Sequence, residues 1–424
     1  MLKKISIEDL RPGMFIHELC GSWWEHALWR RRFACRTPED AAKVRESGVR
    51  QIWIDTERGL DVAPGATQPV VTTEQARRQI DARLHRAVGG ARTVPEQRVE
   101  IAEELAAAKS LLTRSRSGMS RLFVQARSGT SVDMDLAEEV TAKVHASVVR
   151  HPGALISLAR LRSADDYTYL HSIAVSASMV VLARQLGMDE EHTRKAGLAG
   201  LLLDIGKARI APQILNKRGA LTESEFAAVR AHATEGYALL GEMGITELDV
   251  LDACLHHHEK YDGTGYPHGL KGEEIGRMAR MAAVCDTFDA LTAPRPYRES
   301  LGVGPADAVR SMADWAQEQF DDSVFQAFVK AVGVYPIGSI VRLACGRVGV
   351  VVDSNPDAIL RPKVKVFYSL NAKIRIAPEV VDLGVRGSQN RIVGRMDPAG
   401  LGLRRIDEVW AAEALAALRG RSAA

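Results

Sequence analysis

The spacing of apolar and polar positions divides the chain into three parts of different character. Residues 1 to about 65 alternate short apolar runs with charged turns. Within this part, Gly48–Asp55 has the composition of a strand, and Thr37-Pro38 followed by acidic residues predicts the start of a helix. Residues 1–65 are therefore predicted to form a small α+β module.

Residues 66–150 are predicted to be a linker followed by a helical connector. Pro, Gly and Thr concentrate in residues 63–74, which favours a linker. Helical spacing follows through about residue 87 and resumes across 96–115 and 132–150. The Ser- and Gly-containing stretch near 114–131 predicts a break between the last two helices.

The remaining chain is predicted to be a helical domain with a β-rich end. Apolar spacing is helical from about 154 to 330, with stops expected at Gly187, Gly219 and Gly244. In residues 335–382, Val and Ile alternate with charged residues, which predicts a β meander, and a last helix is expected near 406–418. The fold class is thus mostly α: an all-helical domain over 151–330, the N-terminal module, and a C-terminal β appendage with a tail helix over 331–424.

Composition and charge narrow the class of protein. A chain of 424 residues exceeds the usual size of one core, and a net charge of +3 predicts no general nucleic-acid binding. The five cysteines are scattered and form no CxxC pair, which indicates reduced thiols in a cytoplasmic protein. No apolar stretch has the features of a signal peptide or the length of a membrane-spanning helix, so no membrane contact is expected. A cluster of Trp23, Trp24, Trp29 and Arg30 to Arg32 is either a plug for the small core or a docking surface.

The segment His256 to Pro267 carries the strongest chemical signal. Three successive histidines are costly to bury unless their ring nitrogens have partners. A turn with two glycines and Pro267 follows and holds the backbone in place. The segment is either a metal site at a helix end or a polar helix terminus followed by a surface turn.

Two aspartates inside apolar runs favour the metal site. Asp204 follows Leu201-Leu202-Leu203, and Asp286 follows Ala282 to Cys285. A buried carboxylate needs a cation or strong hydrogen-bond donors beside it. A buried salt bridge or a helix cap could explain one such aspartate, but it explains both less readily. Histidines are also concentrated in the same part of the chain, between His171 and His268.

The ordered motifs resemble the HD-GYP family, the metal-dependent branch of the HD phosphohydrolases that opens cyclic di-GMP. The matching residues are His171, Asp204-Ile205-Gly206-Lys207, His232, His257-His258-Glu259, Gly265-Tyr266-Pro267, Asp286 and Arg295-Pro296-Tyr297-Arg298. The resemblance spans about residues 150 to 330. The N-terminal module resembles, more weakly, the domain of unknown function often found ahead of HD-GYP domains. One departure stands out: Leu203 occupies the position of the histidine in the HD motif.

The resemblance implies two divalent metal ions, with iron or manganese as the working metals. Two metal ions that hydrolyse a phosphodiester lie about 3.5 to 4 Å apart, a distance that one carboxylate can bridge. Asp204 is the candidate for this bridging carboxylate. His232, His257 and His258 are then expected to hold one ion, and His171 and Asp286 the other. Loss of the histidine at Leu203 removes a ligand, although three ligands are enough for a catalytic site. Tyr167 stands where some members have a glutamate for a third metal, so the prediction is a two-metal site or a site with one strongly and one weakly bound ion.

Positively charged residues are the predicted substrate contacts. Lys207, three residues after Asp204, is expected to reach a phosphate oxygen and, with Asp204, to act in catalysis. The resemblance assigns Arg295 and Arg298 to the dinucleotide phosphates and Tyr266 to the pocket beside them.

The predicted function is hydrolysis of cyclic di-GMP to pGpG, with GMP as a further product. The alternatives are an inactive domain that binds cyclic di-GMP or a signalling protein, and a hydrolase for another cyclic dinucleotide. Diguanylate cyclases, other signalling proteins and a second copy of the chain are the expected partners.

Overall fold

The computed structural model describes residues 1–20, 32–46, 49–89, 98–130, 133–161, 167–217, 221–293, 303–397, 401–403 and 406–412. The Trp23–Arg32 cluster lies almost entirely outside these ranges, as does the expected stop at Gly219. The described residues confirm the predicted fold class.

The N-terminal module is an antiparallel sheet with one helix. Its elements are β1 (Leu2–Ser6), β2 (Phe15–Leu19), β3 (Phe33–Ala34), α1 (Pro38–Glu46), β4 (Gln51–Asp55) and β5 (Val71–Thr72), and the strand order is β3-β2-β4-β1-β5. Ile5, Ile52 and Ile54 point to one buried face because side chains alternate along a strand. The predicted strand and helix are both present. Strand β5 pairs with β1 although it lies in the segment expected to be a linker.

Three connector helices follow: α2 (Thr73–Val88), α3 (Ile101–Ser128) and α4 (Met134–Arg150). The predicted break near 114–131 is present but begins later than expected, because α3 continues to Ser128 and ends at Gly129 in the left-handed conformation, and α4 begins at Met134. Ser115, Met119 and Leu122 are buried at helical spacing, so the packed face runs through the Ser- and Gly-containing stretch. Packing therefore outweighs the weak helix propensity of these residues.

The central domain is helical, as predicted. Its helices are α5 (Ala154–Ala159), α6 (Tyr167–Gln185), α7 (Glu190–Leu202), α8 (Pro212–Leu215), α9 (Glu223–Arg230), α10 (His232–Glu242), α11 (Leu248–His256), α12 (Arg277–Thr292), α13 (Pro305–Gln319) and α14 (Asp322–Val332). A 3-10 helix, Ile205–Arg209, follows α7. Helices α6 and α12 are buried along nearly their whole length, so the domain is built around them. Gly187 and Gly244 follow helices and have positive φ, in agreement with the predicted stops.

The C-terminal part contains the predicted β meander. Strands β6 (Ile340–Leu343), β7 (Arg347–Asp353), β8 (Lys363–Ser369) and β9 (Ile374–Asp382) are antiparallel neighbours, and β10 (Ile392–Arg395) returns to pair with β6. Of the expected tail helix, residues 407–412 are described and are helical.

Ion pairs connect the three parts. Lys4 of the N-terminal sheet lies 3.0 Å from Asp314 of α13, and Arg50 lies 2.9 Å from Asp262 in the loop after the three histidines. Asp353 of β7 accepts hydrogen bonds from Arg98 and His151. Across the described ranges, no helix combines the length and the apolar character that a membrane span requires.

Candidate metal centre

Three buried histidines form a compact cluster in the central domain. His232 is the first residue of α10, and His257 and His258 directly follow α11. One ring nitrogen from each of the three lies within 4.8 Å of the others. Three imidazoles converging in this way have the number and kind of ligands that a transition-metal site requires.

The hydrogen bonds of the cluster orient two of these imidazoles as ligands. Nδ1 of His232 donates to the carbonyl of Val229 at 2.6 Å, and Nδ1 of His257 donates to the carbonyl of Cys254 at 2.8 Å. The two Nε2 atoms then face each other at 3.2 Å, each with a lone pair and without a proton. A cation between them would relieve this repulsion.

The electrostatics of the cluster keep all three histidines neutral, as metal ligands must be. Burial lowers the pKa of His232 to about 3, against the opposing charge of Asp204. Burial also lowers the pKa of His257, and it lowers the pKa of His258 well below its ordinary value.

Asp204 lies between this cluster and a second group of side chains. Its Oδ1 is 3.4 Å from Nε2 of His232, whereas its Oδ2 is 3.2 Å from Nε2 of His171 and 2.5 Å from Nζ of Lys207. The side chain is only 2% exposed. Burial opposes ionisation, but Lys207 and His171 outweigh it and hold the pKa of Asp204 well below its ordinary value. The two oxygens of one ionised carboxylate thus face two different sets of candidate ligands.

The second set consists of His171 and three carboxylates. Besides Asp204, Nε2 of His171 contacts Oδ1 of Asp286 at 3.0 Å, and Nδ1 contacts Oδ2 of Asp289 at 2.6 Å. Burial opposes protonation of His171, but these carboxylates raise its pKa to about 10, so a divalent cation that binds here would displace the proton from His171. The group is rich in buried negative charge, which suits a divalent cation. Asp289 contacts the nitrogen that points away from Asp204 and Asp286, as a residue that orients a ligand does.

Glycine is required where Asp204 approaches the histidine cluster. A Cβ on Gly206 would lie 2.0 Å from the carbonyl oxygen of His232 and 2.4 Å from the backbone nitrogen of Gly236. The 3-10 helix after Asp204 therefore packs directly on the backbone of α10. This close approach sets the distance between Asp204 and His232.

Leu203 stands beside Asp204 and has a structural role in this chain. Its side chain is 1% exposed and belongs to the main hydrophobic core. Its carbonyl oxygen accepts a hydrogen bond from the Cys254 thiol at 3.3 Å. The leucine side chain has no atom that can bind a metal ion, so the second set of candidate ligands has one imidazole, that of His171.

The loop after the histidines is held by Glu259 and a close backbone contact. The buried carboxylate of Glu259 accepts hydrogen bonds from the backbone N–H groups of His268, Gly269 and Leu270 at 2.7 to 3.1 Å. A Cβ on Gly265 would lie 2.3 Å from the backbone nitrogen of Lys260, so only glycine fits. These contacts fix the position of Tyr266, the next residue.

Tyr266 packs against the histidine cluster. Its ring stacks on His258 with centroids 4.7 Å apart, and the guanidinium of Arg230 lies 4.2 Å from its centroid. The Tyr266–Pro267 peptide bond is cis.

Most of the predicted site residues come together. The structure brings His171, Asp204, Lys207, His232, His257, His258 and Asp286 into one centre, with Tyr266 beside it. Arg295 and Arg298 lie outside the described residues. Sequence reasoning gave no role to Arg230 or to Glu259, although Glu259 directly follows two predicted ligands.

The fold and the donor set define an HD-type metal-dependent phosphohydrolase. The family model described as HD domain matches residues 146–324, and the one described as a domain of unknown function, DUF3391, matches residues 2–137. The second match extends from the N-terminal sheet into α4.

Comparison with known proteins identifies the family. The chain is 44% identical over 419 residues to a protein of Pseudomonas aeruginosa named cyclic di-GMP phosphodiesterase PA4108, covering 97% of this chain and 96% of that protein. It is 38% identical over 172 residues to the 3'3'-cGAMP-specific phosphodiesterase 3 of Vibrio cholerae, covering 41% of this chain and 37% of that protein. A solved HD-GYP-type protein of Bdellovibrio bacteriovorus matches with a TM-score of 0.45 and 15% identity, over 77% of this chain and 98% of that one. The chain belongs to the HD-GYP family, as its motifs predicted.

Proposed function

We propose that this protein hydrolyses cyclic di-GMP to pGpG at a site that holds two divalent metal ions. The observation that carries the proposal is the position of Asp204, whose two oxygens face separate sets of ligands. A carboxylate in this position suits a bridging role between two ions.

The donor sets divide between the two proposed ions. His232, His257 and His258 would hold one ion with Asp204, and His171 and Asp286 would hold the other with the same carboxylate. Mixed imidazole and carboxylate ligands suit iron, manganese or zinc, and the family resemblance favours iron or manganese. When bound, such ions activate a water molecule as nucleophile and offset charge on the phosphoryl oxygens.

The remaining residues of the centre are proposed to position these groups and the substrate. Asp289 holds Nδ1 of His171, which keeps Nε2 directed at Asp204 and Asp286. Lys207 is proposed to donate to a phosphate oxygen from its place beside Asp204 and to stabilise the charge that develops there. Arg295 and Arg298 are proposed as further phosphate contacts because of the family resemblance.

Cyclic di-GMP is the proposed substrate because a relative that matches nearly the whole chain is named a cyclic di-GMP phosphodiesterase. Onward cleavage to GMP, a cytoplasmic location, homodimerisation and contacts with diguanylate cyclases or other signalling proteins remain predictions from the sequence.

The decisive experiment measures turnover of cyclic di-GMP by protein purified without oxygen and supplied with Fe(II) or Mn(II). Release of pGpG by the wild type, and its loss in Asp204→Ala, is the expected result. Metal analysis of the same samples should give about two ions per chain for the proposed site.

Substitution of Leu203 by histidine distinguishes an active enzyme from the alternative, an inactive regulator. We expect the wild type to be active, because three ligands are enough to hold a catalytic ion. If the wild type binds metal without turnover and Leu203→His restores hydrolysis, the wild-type site is inactive and the regulator is the better assignment.

A further inference from the structure

Arg230 is an exposed cation at the edge of the metal centre. It is the last residue of α9 and stands two positions before His232. Its guanidinium lies 4.2 Å from the centroid of the Tyr266 ring and 5.8 Å from that of Phe226. Tyr266 in turn stacks on His258, so Arg230 is separated from a proposed metal ligand by a single aromatic ring.

Arg230 has no carboxylate partner within ion-pair distance among the residues that the structure describes. Arg209, by contrast, pairs with Glu235 at 3.0 Å and with Glu242 at 2.6 Å. Contact with an aromatic face leaves the N–H groups at the edge of a guanidinium available to a ligand. Arg230 therefore offers hydrogen-bond donors at the metal centre that no described carboxylate occupies.

Tyr266 itself is poorly placed to stack on a substrate base. Its side chain is 8% exposed, and its ring already contacts both His258 and Arg230. Arg230, by contrast, is exposed. The tyrosine thus holds Arg230 in place instead of offering an open ring face.

We propose that Arg230 selects guanine by donating two hydrogen bonds to O6 and N7 of one base of the cyclic dinucleotide, an inference that rests on the proposed function. Arginine and the O6/N7 edge of guanine form the most common specific pairing of a side chain with a base. Adenine has an amino donor in place of O6, so it cannot accept both hydrogen bonds. Arg230 is thereby a specificity-determining residue, and Tyr266 is a positioning residue for it.

The contact of Arg230 with the Tyr266 ring favours a base over a phosphate as its partner. A phosphate has acceptor oxygens in several directions and binds a cation in many orientations. A base edge is planar and requires donors that lie in its own plane. The Tyr266 ring, 4.2 Å from the guanidinium carbon, limits the directions from which a partner can approach Arg230, and this limit suits a planar partner better than a phosphate.

The test compares equilibrium binding and kcat/KM for cyclic di-GMP and cyclic di-AMP in the full-length, metal-loaded protein. The variants are Arg230→Met, which removes both donors, and Arg230→Gln, because glutamine pairs with N6 and N7 of adenine. Arg194→Met is the matched control, since Arg194 is a half-exposed arginine of the same domain. Its ion pair with Glu138, at 3.5 Å, is long. Metal content and the thermal midpoint of each variant verify that the centre is intact.

The wild type is expected to prefer cyclic di-GMP, and Arg230→Met is expected to reduce that preference roughly 10-fold to 100-fold. Arg230→Gln should move the preference toward cyclic di-AMP, and 3'3'-cGAMP should show an intermediate effect in both variants. An equal loss for all dinucleotides would instead indicate a phosphate contact and would overturn the proposal. An unchanged preference in Arg230→Met would overturn it as well.

The two proposals fail in different ways. If the wild type binds cyclic di-GMP but does not hydrolyse it, the proposed function fails while the binding ratios still test Arg230. If the wild type hydrolyses cyclic di-GMP and the variants keep its base preference, only the inference about Arg230 fails.

Discussion

Replacement of Gly206 by alanine is expected to separate the two sides of the metal centre. The added Cβ would lie 2.0 Å from the carbonyl oxygen of His232, whereas ordinary contacts begin at 3.4 Å. The backbone of the 3-10 helix and that of α10 must therefore move apart by at least 1.0 Å to reach the shortest contact that real Cβ atoms make, 3.0 Å, and by 1.4 Å to reach an ordinary contact. Both obstructing groups are backbone atoms, so rotation of a side chain cannot relieve the clash.

This displacement acts on the ligands directly. Asp204 precedes Gly206 by two residues, and the carbonyl oxygen that would clash with the added Cβ belongs to His232. Their Oδ1 and Nε2 atoms lie 3.4 Å apart, so a further separation of more than 1 Å would prevent them from sharing an ion. Misplacement by about 1 Å costs on the order of 100-fold in rate, and overpacking of this kind costs about 1–3 kcal/mol of stability.

The assay combines metal content, turnover of cyclic di-GMP and thermal unfolding of the purified variant. Gly241→Ala is the control, because Gly241 also lies in α10 and a Cβ there would meet nothing within 4 Å. Alanine at that position should preserve activity and raise stability slightly, since it favours the helix. Wild-type metal content and turnover in Gly206→Ala would refute the reasoning.

Three further predictions concern residues around the centre and the C-terminal sheet. Asp289→Asn weakens the contact to Nδ1 of His171 and should lower metal affinity about 10-fold to 100-fold, measured by metal titration; unchanged affinity would contradict this role. Glu259→Gln places an amide donor against the backbone N–H groups that Glu259 accepts from, and it should lower the free energy of unfolding by about 1–3 kcal/mol. Urea titration measures this change, and an unchanged midpoint would contradict the proposed role of Glu259. Burial opposes ionisation of Asp353, but the hydrogen bond from His151 and the charges of Arg98 and Lys363 together outweigh it and hold the pKa of Asp353 below its ordinary value. A lowered pKa in the folded state stabilises the protein above the unfolded value of about 3.9, and this contribution is lost as pH falls through the folded value. Asp353→Asn should therefore destabilise the protein in urea titrations at pH 7 but much less below about pH 4, and a deficit independent of pH would contradict it.

A matched substitution serves as control for the metal titration of Asp289→Asn. Asp252 also contacts a histidine nitrogen, Nδ1 of His256 at 2.7 Å, but that histidine is not part of the proposed ligand sets. Asp252→Asn should leave metal affinity unchanged. An equal loss in both variants would point to a general effect of charge.

The residues of the centre were predictable because their chemistry is incompatible with an ordinary core. Asp204 and Asp286 lie in apolar runs, and three successive histidines precede a stiff turn. Buried carboxylates and imidazoles need partners, so their types and order already pointed to a metal site. Alternation and helical spacing likewise predicted which parts of the chain are sheet and which are helix, since both periods follow from local backbone geometry.

Other features depend on contacts between residues distant in the sequence. The break expected near 114–131 begins only at Gly129, because buried side chains keep α3 continuous to Ser128, and local propensity does not contain that information. Asp289 meets His171 across 118 residues, and no local pattern predicts this distance or its direction.

The sequence by itself determined the side chains available as candidate ligands, the helical domain and the family, because these depend on residue identity and on local periodicity. Only the tertiary structure decided that one oxygen of Asp204 faces His232 while the other faces His171. It also decided that Arg230 lies over Tyr266 with exposed donors. Such relations are set by the packing of helices against one another, where distances of a few ångströms between chain segments follow from the whole core.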